Sequence, residues 1–261
     1  MKVFQIPLRN KSPARACAYD KNKIKVERVD ENGKKYFVTH KKINLDEDFF
    51  SYWSPETAYV LGIIYTDGNL YRESSSKKGR ISVSQKNPEL LNKIKALMNC
   101  DAKLRFLPRR QYNEVVAGEL YILAFNSDKI FADLLKFGLT PRKSCDMNFP
   151  SIPQEYVRHF IRGCWDGDGS VYTSRTKTYL GIHASYTSGS LPFIQEMISQ
   201  LESAAMAKPV IHSNKGNNPS YYFKVHGEDC RYLYHYLYEA VAPEQYLERK
   251  FSVFKRYFGP L

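Results

Sequence analysis

The sequence contains no long uninterrupted apolar run. No stretch reaches the ~18 apolar residues that a membrane-spanning helix needs. The first residues, MKVFQIPLRNKSPARA, lack the extended apolar core of a secretory signal peptide. These absences argue against a helical membrane protein and against secretion. We therefore expect an intracellular protein, in the cytoplasm or nucleoid, or in an organelle if the source is eukaryotic.

The usual patterns of metal-binding and disulfide-bonded proteins are also missing. The five cysteines are widely spaced and form no CxxC pair, and the six histidines form no HExxH pattern. No histidine lies at zinc-finger spacing from a cysteine pair. The pattern predicts reduced, mostly buried thiols, and it gives no support to hydrolysis by zinc or by a serine triad.

Acidic residues are few relative to basic ones. The chain has 39 Lys and Arg against 27 Asp and Glu, a formal charge of +12. So large an excess indicates a polyanionic partner, either nucleic acid or an acidic membrane surface. Residues 1–42 alone carry +8. We interpret residues 1–50 as a basic N-terminal extension with a β-hairpin, its turn at Glu31-Asn32-Gly33.

An internal repeat organises the remainder of the chain. The segment SPETAYVLGIIYTDGNLY, which begins at Ser54, is followed later by IPQEYVRHFIRGCWDGDGSVY, which begins at Ile152. Each segment has a proline near its start, continues as an apolar helix and ends in Asp-Gly. The patterns that follow also repeat, and each half is predicted to have the order αββαββα. We place the two repeats at residues 51–150 and 151–261.

The repeated helices each carry a glycine five residues before the final aspartate, namely Gly62 before Asp67 and Gly163 before Asp168. A glycine inside a helix costs about 1 kcal/mol relative to alanine, which is reasonable if another backbone approaches there. We therefore expect the helices to pack glycine against glycine. Their terminal carboxylates would then lie side by side and repel unless divalent cations neutralise them. Oxygen ligands of this type suit Mg²⁺, so the pattern indicates phosphodiester hydrolysis by metal-activated water.

The two segments VLGIIYTDG (60–68) and IRGCWDGDG (161–169) resemble the paired signature of the LAGLIDADG homing endonucleases. The resemblance extends over about residues 54–256 of this sequence. It implies an α+β fold of two pseudo-symmetric αββαββα repeats, packed through the motif helices and presenting antiparallel saddle-shaped sheets to DNA. It also implies a monomer that hydrolyses double-stranded DNA at a long, asymmetric site with a divalent metal, expected to be Mg²⁺.

The resemblance assigns catalytic roles to a small set of residues. It makes Asp67 and Asp168 the metal ligands, assisted by the backbone carbonyls of Thr66 and Gly167. The first acidic position of the motif, a capping position in the family, is Tyr65 in one repeat and Asp166 in the other. The remaining positions match residues that lie beside the scissile phosphates or organise water: Lys143, Lys250 and Gln85, with either Thr187 or Ser188 as the second-repeat counterpart of Gln85.

DNA contacts are expected from the strands and from the loops at their ends. In the family the sheets lie in the major groove, which admits a β-ribbon. Alternation along each strand separates core residues from outward ones; in RISVSQ, for example, Ile81 and Val83 face the core. The outward and loop residues assigned to DNA are Arg72, Lys77, Lys78, Arg80, Ser82, Ser84, Arg105, Arg109, Arg110, Arg175, Lys177, His183, Ser185, Thr187, Tyr222 and Lys224.

Two other functions remain open from the sequence. One is an intron-RNA splicing helper with the same fold, since basic and tyrosine-rich surfaces suit RNA as well as DNA. The other is a DNA-binding regulator that does not cleave. The presence of both Asp67 and Asp168 favours the nuclease, because a pure binder gains nothing from paired anions beside phosphate. No splicing-domain block accompanies the repeats, so a free-standing or intron-encoded enzyme is expected.

Overall fold

The structure is a computed structural model of the chain, and contacts divide it into two units, Met1–Leu45 and Asp46–Leu261. Among the residues it describes, no helix is long and apolar enough to cross a membrane. Side chains of 23–28, 36–41, 110–112 and 115–117 are not described. The described residues are 23–30, 33–41, 43–72, 78–112, 115–140, 147–204, 206–214 and 220–261.

The first unit contains the hairpin predicted for the basic extension. Strands β1 (Lys23–Val29) and β2 (Lys35–Lys41) pair antiparallel, with Val29 opposite Lys35. In the turn, the Lys34 amide donates to the Asp30 carboxylate at 2.9 Å. Gly33 adopts a φ of +77°, a left-handed conformation that glycine adopts without steric cost. Gly33 thus lies in the predicted turn, whereas Glu31 and Asn32 lie outside the described residues.

The first repeat follows the predicted order with one insertion. Its elements are α1 (Pro55–Asp67), β3 (Gly68–Arg72), β4 (Gly79–Gln85), α2 (Pro88–Leu97), β5 (Arg105–Leu107), β6 (Arg110–Tyr112), β7 (Val115–Ala117), β8 (Leu120–Asn126) and α3 (Asp128–Lys136). The insertion is the small hairpin of β6 and β7, which pair only with each other. The sequence did not predict this insertion, because the arginine-rich segment between β5 and β8 has the composition of a loop.

The second repeat has the same order and a longer C-terminal end. Its elements are α4 (Gln154–Asp168), β9 (Ser170–Arg175), β10 (Leu180–Ser188), α5 (Leu191–Ser203), β11 (His212–Asn214), β12 (Ser220–His226), α6 (Glu228–Tyr238), a 3₁₀ turn (Pro243–Gln245) and α7 (Glu248–Phe258). Strand β11 begins later than the run KPVIHS suggests. The basic tail QYLERKF leads into a full helix, α7.

Both repeats build the same four-stranded antiparallel sheet. The strand orders are β3-β4-β8-β5 and β9-β10-β12-β11. Each strand of the first sheet therefore has its counterpart at the same place in the second. Ile81 and Val83 in one sheet, and Ile182 and Ala184 in the other, are buried on the helix-covered side, as alternation predicts. Phe106 departs from the expected alternation: it is 45% exposed, because it lies on the short edge strand β5. The predicted α+β architecture of two repeats is confirmed.

Helices α1 and α4 pack tightly against each other at their glycines. A Cβ atom built on Gly62 would overlap the Phe160 carbonyl oxygen and lie 3.0 Å from the Cα of Gly163. A Cβ on Gly163 would in turn overlap the Tyr59 carbonyl oxygen. Only glycine allows two backbones to approach this closely. The packing predicted from the glycine spacing is therefore confirmed, and it aligns the C-terminal ends of both helices.

A buried polar network adjoins this helix pair. Arg162 is fully buried and donates to the Gln245 carbonyl at 2.7 Å and to Nδ1 of His159 at 2.8 Å. Its guanidinium also lies 5.2 Å from the centre of the Tyr59 ring. Because a guanidinium only donates, Nδ1 of His159 must be an unprotonated acceptor. Burial, together with Arg162 and Arg158, lowers the pKa of His159 to about 3.

We expect this histidine to make the fold sensitive to acid. Its folded pKa lies below the ordinary value of 6.5, so the unfolded chain binds the extra proton as the pH falls from 6.5 toward 3. Its contribution is complete above pH 6.5 and declines below it, by at most about 1.4 kcal/mol per pH unit. His159→Gln retains an acceptor for Arg162 but does not titrate. Urea unfolding at pH 7 and pH 4.5 should therefore show a smaller loss of stability for the variant. An equal loss in both proteins would contradict the assignment.

Candidate active site

The centre of the candidate site is formed by the adjoining ends of α1 and α4. Asp67 and Asp168 are the last residues of these helices, and each is followed by a glycine: Gly68 opens β3, and Gly169 directly precedes β9. A Cβ on Gly167 would overlap the Thr66 hydroxyl and lie 2.7 Å from Oδ2 of Asp67. The final turns of the two helices are thus in contact. Asp67 is half-buried and Asp168 is exposed, so the pair opens to solvent from one side.

Gln85 at the end of β4 holds the first carboxylate. Its Nε2 donates to Oδ2 of Asp67 at 2.6 Å. The amide group carries both donor and acceptor atoms, so it suits the orientation of a water molecule beside this carboxylate. The sequence comparison placed Gln85 here, and the structure brings it together with Asp67.

Sheet register identifies the second-repeat counterpart of Gln85. Gly68 pairs with Val83 in the first sheet, two residues before Gln85. In the second sheet Ser170 pairs with Ser185, which places Gly169 opposite Tyr186. Ser188 is therefore the topological equivalent of Gln85. A cleft of about 300 Å³ contains Ser188 and Thr187 on one side and Asp168 and Thr66 among its other lining residues.

Lys250 lies beneath the last turn of α4 and is almost fully buried, with 3% of its surface exposed. Its Nζ donates to the carbonyl oxygens of Trp165 at 2.6 Å and Asp166 at 2.9 Å, and reaches that of Gly167 at 3.4 Å. A cation at a helix C-terminus stabilises the exposed carbonyls and the helix dipole. Burial lowers the pKa of Lys250 to about 8, against the opposing influence of the nearby carboxylates.

Asp166 connects the motif helix to the helix that carries Lys250. It is fully buried and accepts from the Tyr59 hydroxyl at 2.8 Å and from the Leu247 amide at 2.7 Å. Leu247 is the N-cap residue of α7, so Asp166 fixes the start of that helix. Its counterpart in the first repeat, Tyr65, donates instead to the Phe137 carbonyl. Both positions act as anchors for the motif helices.

A buried tyrosine close to the two carboxylates was not anticipated from the sequence as part of the site. Tyr186 on β10 is 1% exposed. Burial is the main cause that raises its pKa well above the ordinary value, followed by Cys164, Asp168 and Asp67. Tyr186 alternates with Ile182 and Ala184 along β10, so the sequence predicts a core residue. The neighbouring residues do not indicate that this part of the core lies beside Asp67 and Asp168.

The donor set at the two helix ends suits a hard divalent cation. Carboxylate and backbone carbonyl oxygens are the ligands that Mg²⁺ prefers. Asp67 and Asp168 converge where Gly167 touches Thr66, so a cation could draw on both helices. Among the described residues, no group of three or more His, Cys, Asp or Glu side chains converges as a further metal site.

The predicted strand residues form two outward faces. Directly opposed residues of an antiparallel pair share a face. In the first sheet this joins Arg80, Ser82 and Ser84 with Arg105 across the sheet. In the second sheet the face comprises His183, Ser185, Thr187, Tyr222 and Lys224. The pairing also places Tyr172, His226 and His212 on this face. The sequence analysis did not assign these three residues, although alternation along β9, β12 and β11 would have identified them.

The predicted loop cations are distributed less uniformly. Arg72 packs its guanidinium 4.7 Å from the Phe131 ring centre and 3.4 Å from Asp128. Arg72 is nevertheless exposed, as are Lys78, Arg109, Arg175 and Lys177. The side chain of Arg110 is not described, and Lys77 and Lys143 lie outside the described residues.

We expect Lys250→Met to destabilise the protein by about 2–3 kcal/mol, since buried carbonyls would lose their donor. Lys255→Met is the matched control, because Lys255 is an exposed residue of the same helix and surface changes usually stay within about 0.5 kcal/mol. Thermal unfolding of both variants measures the difference. Equal changes in stability for the two variants would show that the hydrogen bonds of Lys250 to the end of α4 contribute nothing to stability.

Comparison with known proteins agrees with this geometry. A family model described as a LAGLIDADG-like domain matches residues 155–243, which run from the first turn of α4 to the 3₁₀ turn. The second repeat is therefore similar to a LAGLIDADG-like domain. No curated protein matches the chain by sequence.

Solved structures extend the likeness to both repeats. The homing endonuclease I-WcaI bound to its DNA recognition sequence is 14% identical, with a TM-score of 0.54 over 78% of this chain and 91% of that one. The LAGLIDADG homing endonuclease I-GzeII in complex with its DNA target is 14% identical, with a TM-score of 0.50 over 78% and 89%. The chain thus has the LAGLIDADG homing-endonuclease fold that the two motifs predict.

Proposed function

We propose that this protein is a metal-dependent endonuclease that cleaves both strands of DNA at a specific, long and asymmetric site. The observation that carries the proposal is the meeting of Asp67 and Asp168 at the joined ends of the LAGLIDADG-like helices. Two acidic side chains brought together between two outward polar sheets suit the hydrolysis of a polyanion. A divalent cation bound there, Mg²⁺ in our proposal, would activate water and stabilise the phosphate charge.

The protein residues have separate tasks in this proposal. Asp67 and Asp168, with the carbonyls of Thr66 and Gly167, would hold the cation. Gln85 fixes one carboxylate and orients water beside it, and Ser188 lines the corresponding part of the second repeat. Because Gly62 and Gly163 allow the helices to touch, the helix ends that carry the two carboxylates lie close together.

The two lysines assigned by resemblance have different roles in the proposed reaction. Lys250 is buried under the last turn of α4, which supports a role through Asp168: it fixes the final turn and supplies a positive charge behind it. Lys143, whose position is not described, is proposed to contact a phosphate directly. A positive charge beside the developing phosphate charge lowers the barrier to hydrolysis.

Asymmetry of the target is supported by differences between equivalent outward residues. Arg80 in the first sheet corresponds by register to His183 in the second. Ala124 and Lys224 likewise occupy equivalent ladder positions opposite Ser82 and Ser185. Two half-sites read by such different side chains need not be related by a palindrome. A single chain containing both repeats is proposed to act as a monomer.

A selection from randomised duplex DNA tests the proposal. Purified protein is incubated with the library in Mg²⁺, and the cleaved ends are sequenced. We expect one long consensus without two-fold symmetry, cut on both strands. Binding of a consensus without cleavage would support a regulator instead, and binding only of structured RNA would support a splicing helper. Either of these results would reject the endonuclease.

The basic extension is proposed to contact phosphates flanking the cleavage site. Residues 1–42 carry twelve basic residues and four acidic ones but lie outside both repeats. Each phosphate neutralised adds about 0.9 to the salt slope of binding. If three or four cations engage, deletion of residues 1–42 should flatten that slope by roughly 3, with an unchanged cleavage rate at saturation. The measurement is the DNA affinity of the full-length and the deleted protein at several salt concentrations between about 50 and 200 mM. A folded deletion variant with the full slope would contradict the role.

A further inference from the structure

The outward face of the first sheet contains an apolar patch in its middle. Ile122 and Ala124 lie on β8 with Leu123 between them buried on the opposite side. Both side chains are partly exposed to solvent. Leu120 on β8 and its partner Leu107 on β5, both partly buried, lie on the same face and continue the apolar residues toward the end of the sheet.

Sheet register shows what surrounds the patch. Ile122 is flanked by Ser84 on β4 and by Arg105 on β5, and Ala124 is flanked by Ser82. Neighbouring strands therefore provide hydroxyl groups and a cation on either side. A polyanion with an apolar feature in its interior complements this surface, whereas a wholly apolar partner does not.

The equivalent surface of the second repeat is polar. Tyr222 corresponds to Ile122 and Lys224 to Ala124, because Tyr222 pairs with Thr187 and Lys224 with Ser185. Lys224 is exposed and holds its Nζ 5.5 Å from the Tyr222 ring centre. Apolar residues at this place are thus a property of the first repeat and are not imposed by the fold.

We infer that Ile122 and Ala124 recognise thymine methyl groups in the half-site that the first repeat contacts. This inference rests on the proposed function, because it requires the outward face to lie in a DNA major groove. The thymine 5-methyl is the apolar group that base pairs present there. Ile122 and Ala124 cannot hydrogen-bond to a base edge, so a guanine or cytosine beneath them loses water without a replacement.

The test compares DNA selection by the full-length protein and by a double variant, Ile122→Ser with Ala124→Ser. Selection for binding is done in EDTA, so that cleavage does not enter the result. We expect the wild-type consensus to contain A·T pairs in one half-site that lose their preference in the variant, while the other half-site is unchanged. An unaltered consensus would overturn the inference.

Uracil substitution isolates the methyl group itself. Each thymine at the affected positions is replaced by deoxyuridine, which removes only the methyl. Wild-type affinity should fall about fourfold per methyl, the factor expected for burying one such group, and the double variant should not respond. Uracil placed in the opposite half-site is the matched control. Equal sensitivity of the two proteins would contradict the assignment.

The proposed function and the recognition of thymine methyl groups are rejected by different results. If the wild-type protein enriches no duplex sequence, the proposed function is wrong and the inference falls with it. If it enriches a sequence without A·T pairs at the positions altered by the variant, only the methyl recognition is wrong. Circular dichroism of the double variant confirms that it is folded, which the partly exposed positions of both residues favour.

Discussion

Replacing either Asp67 or Asp168 by asparagine is expected to reduce DNA cleavage about 1000-fold while DNA affinity is retained. Each carboxylate ends one motif helix at the contact of the two helices, and we propose that the pair binds the cation. Asparagine preserves the shape but removes the charge that attracts the cation. A 1000-fold loss corresponds to about 4 kcal/mol of transition-state stabilisation. Single-turnover cleavage of the selected duplex in Mg²⁺ measures it.

Glu196→Gln provides the matched control for this experiment. Glu196 is an exposed acid on α5, in the helix layer that covers the inner side of the second sheet. Glu196 lines a cavity with Gln154 at the N-terminal end of α4, the end opposite to Asp168, so the variant loses the same charge and should cleave at the wild-type rate. If either aspartate variant also cleaves at that rate, the assigned centre is wrong. Affinities are measured in EDTA, so that binding and hydrolysis are separated.

Gly62→Ala and Gly163→Ala are each expected to destabilise the protein by about 3 kcal/mol, near the upper end for overpacked cores. At this chain length that corresponds to a fall in Tm of roughly 10 °C. The sign is diagnostic, because the same change in an exposed helix would stabilise it by up to about 1 kcal/mol. Here the added methyl would overlap backbone atoms of the partner helix, which cannot rotate away.

Gly118→Ala is the control for the glycine prediction. Gly118 is exposed, has no atom within 4 Å of an added Cβ and does not adopt a left-handed φ. Its replacement should change stability by no more than about 0.5 kcal/mol. Thermal unfolding of all three variants under the same conditions provides the comparison. A stabilised Gly62→Ala protein would show that the helices do not pack as described.

The central framework of this protein follows from local sequence patterns. The glycine spacing and the Asp-Gly ends of both motif segments predict the contact of α1 with α4, because only glycine permits such backbone proximity. Alternation within RISVSQ predicts the burial of Ile81 and Val83. Asn-Gly in the basic extension predicts the turn of the hairpin. In each case the signal lies within a few residues of the feature that it predicts.

Other features depend on contacts that the sequence does not specify locally. Lys250 belongs to a basic segment typical of a solvated surface, yet long-range packing of α7 places its ammonium under the carbonyls of α4. Arg162 is likewise buried by groups that lie far along the chain. The equivalence of Gln85 and Ser188 requires the register of two sheets, which no single strand determines.

Strand-resolved cleavage of the selected duplex, with Mg²⁺ and with EDTA, tests most directly the claim that Asp67 and Asp168 form one metal-dependent centre for both strands. The duplex is labelled separately on each strand, and product formation by saturating wild-type protein is followed in a single turnover. The account predicts breaks in both strands with Mg²⁺ and none in EDTA. Cleavage that persists in EDTA, or in the protein that carries both Asp67→Asn and Asp168→Asn, would contradict it.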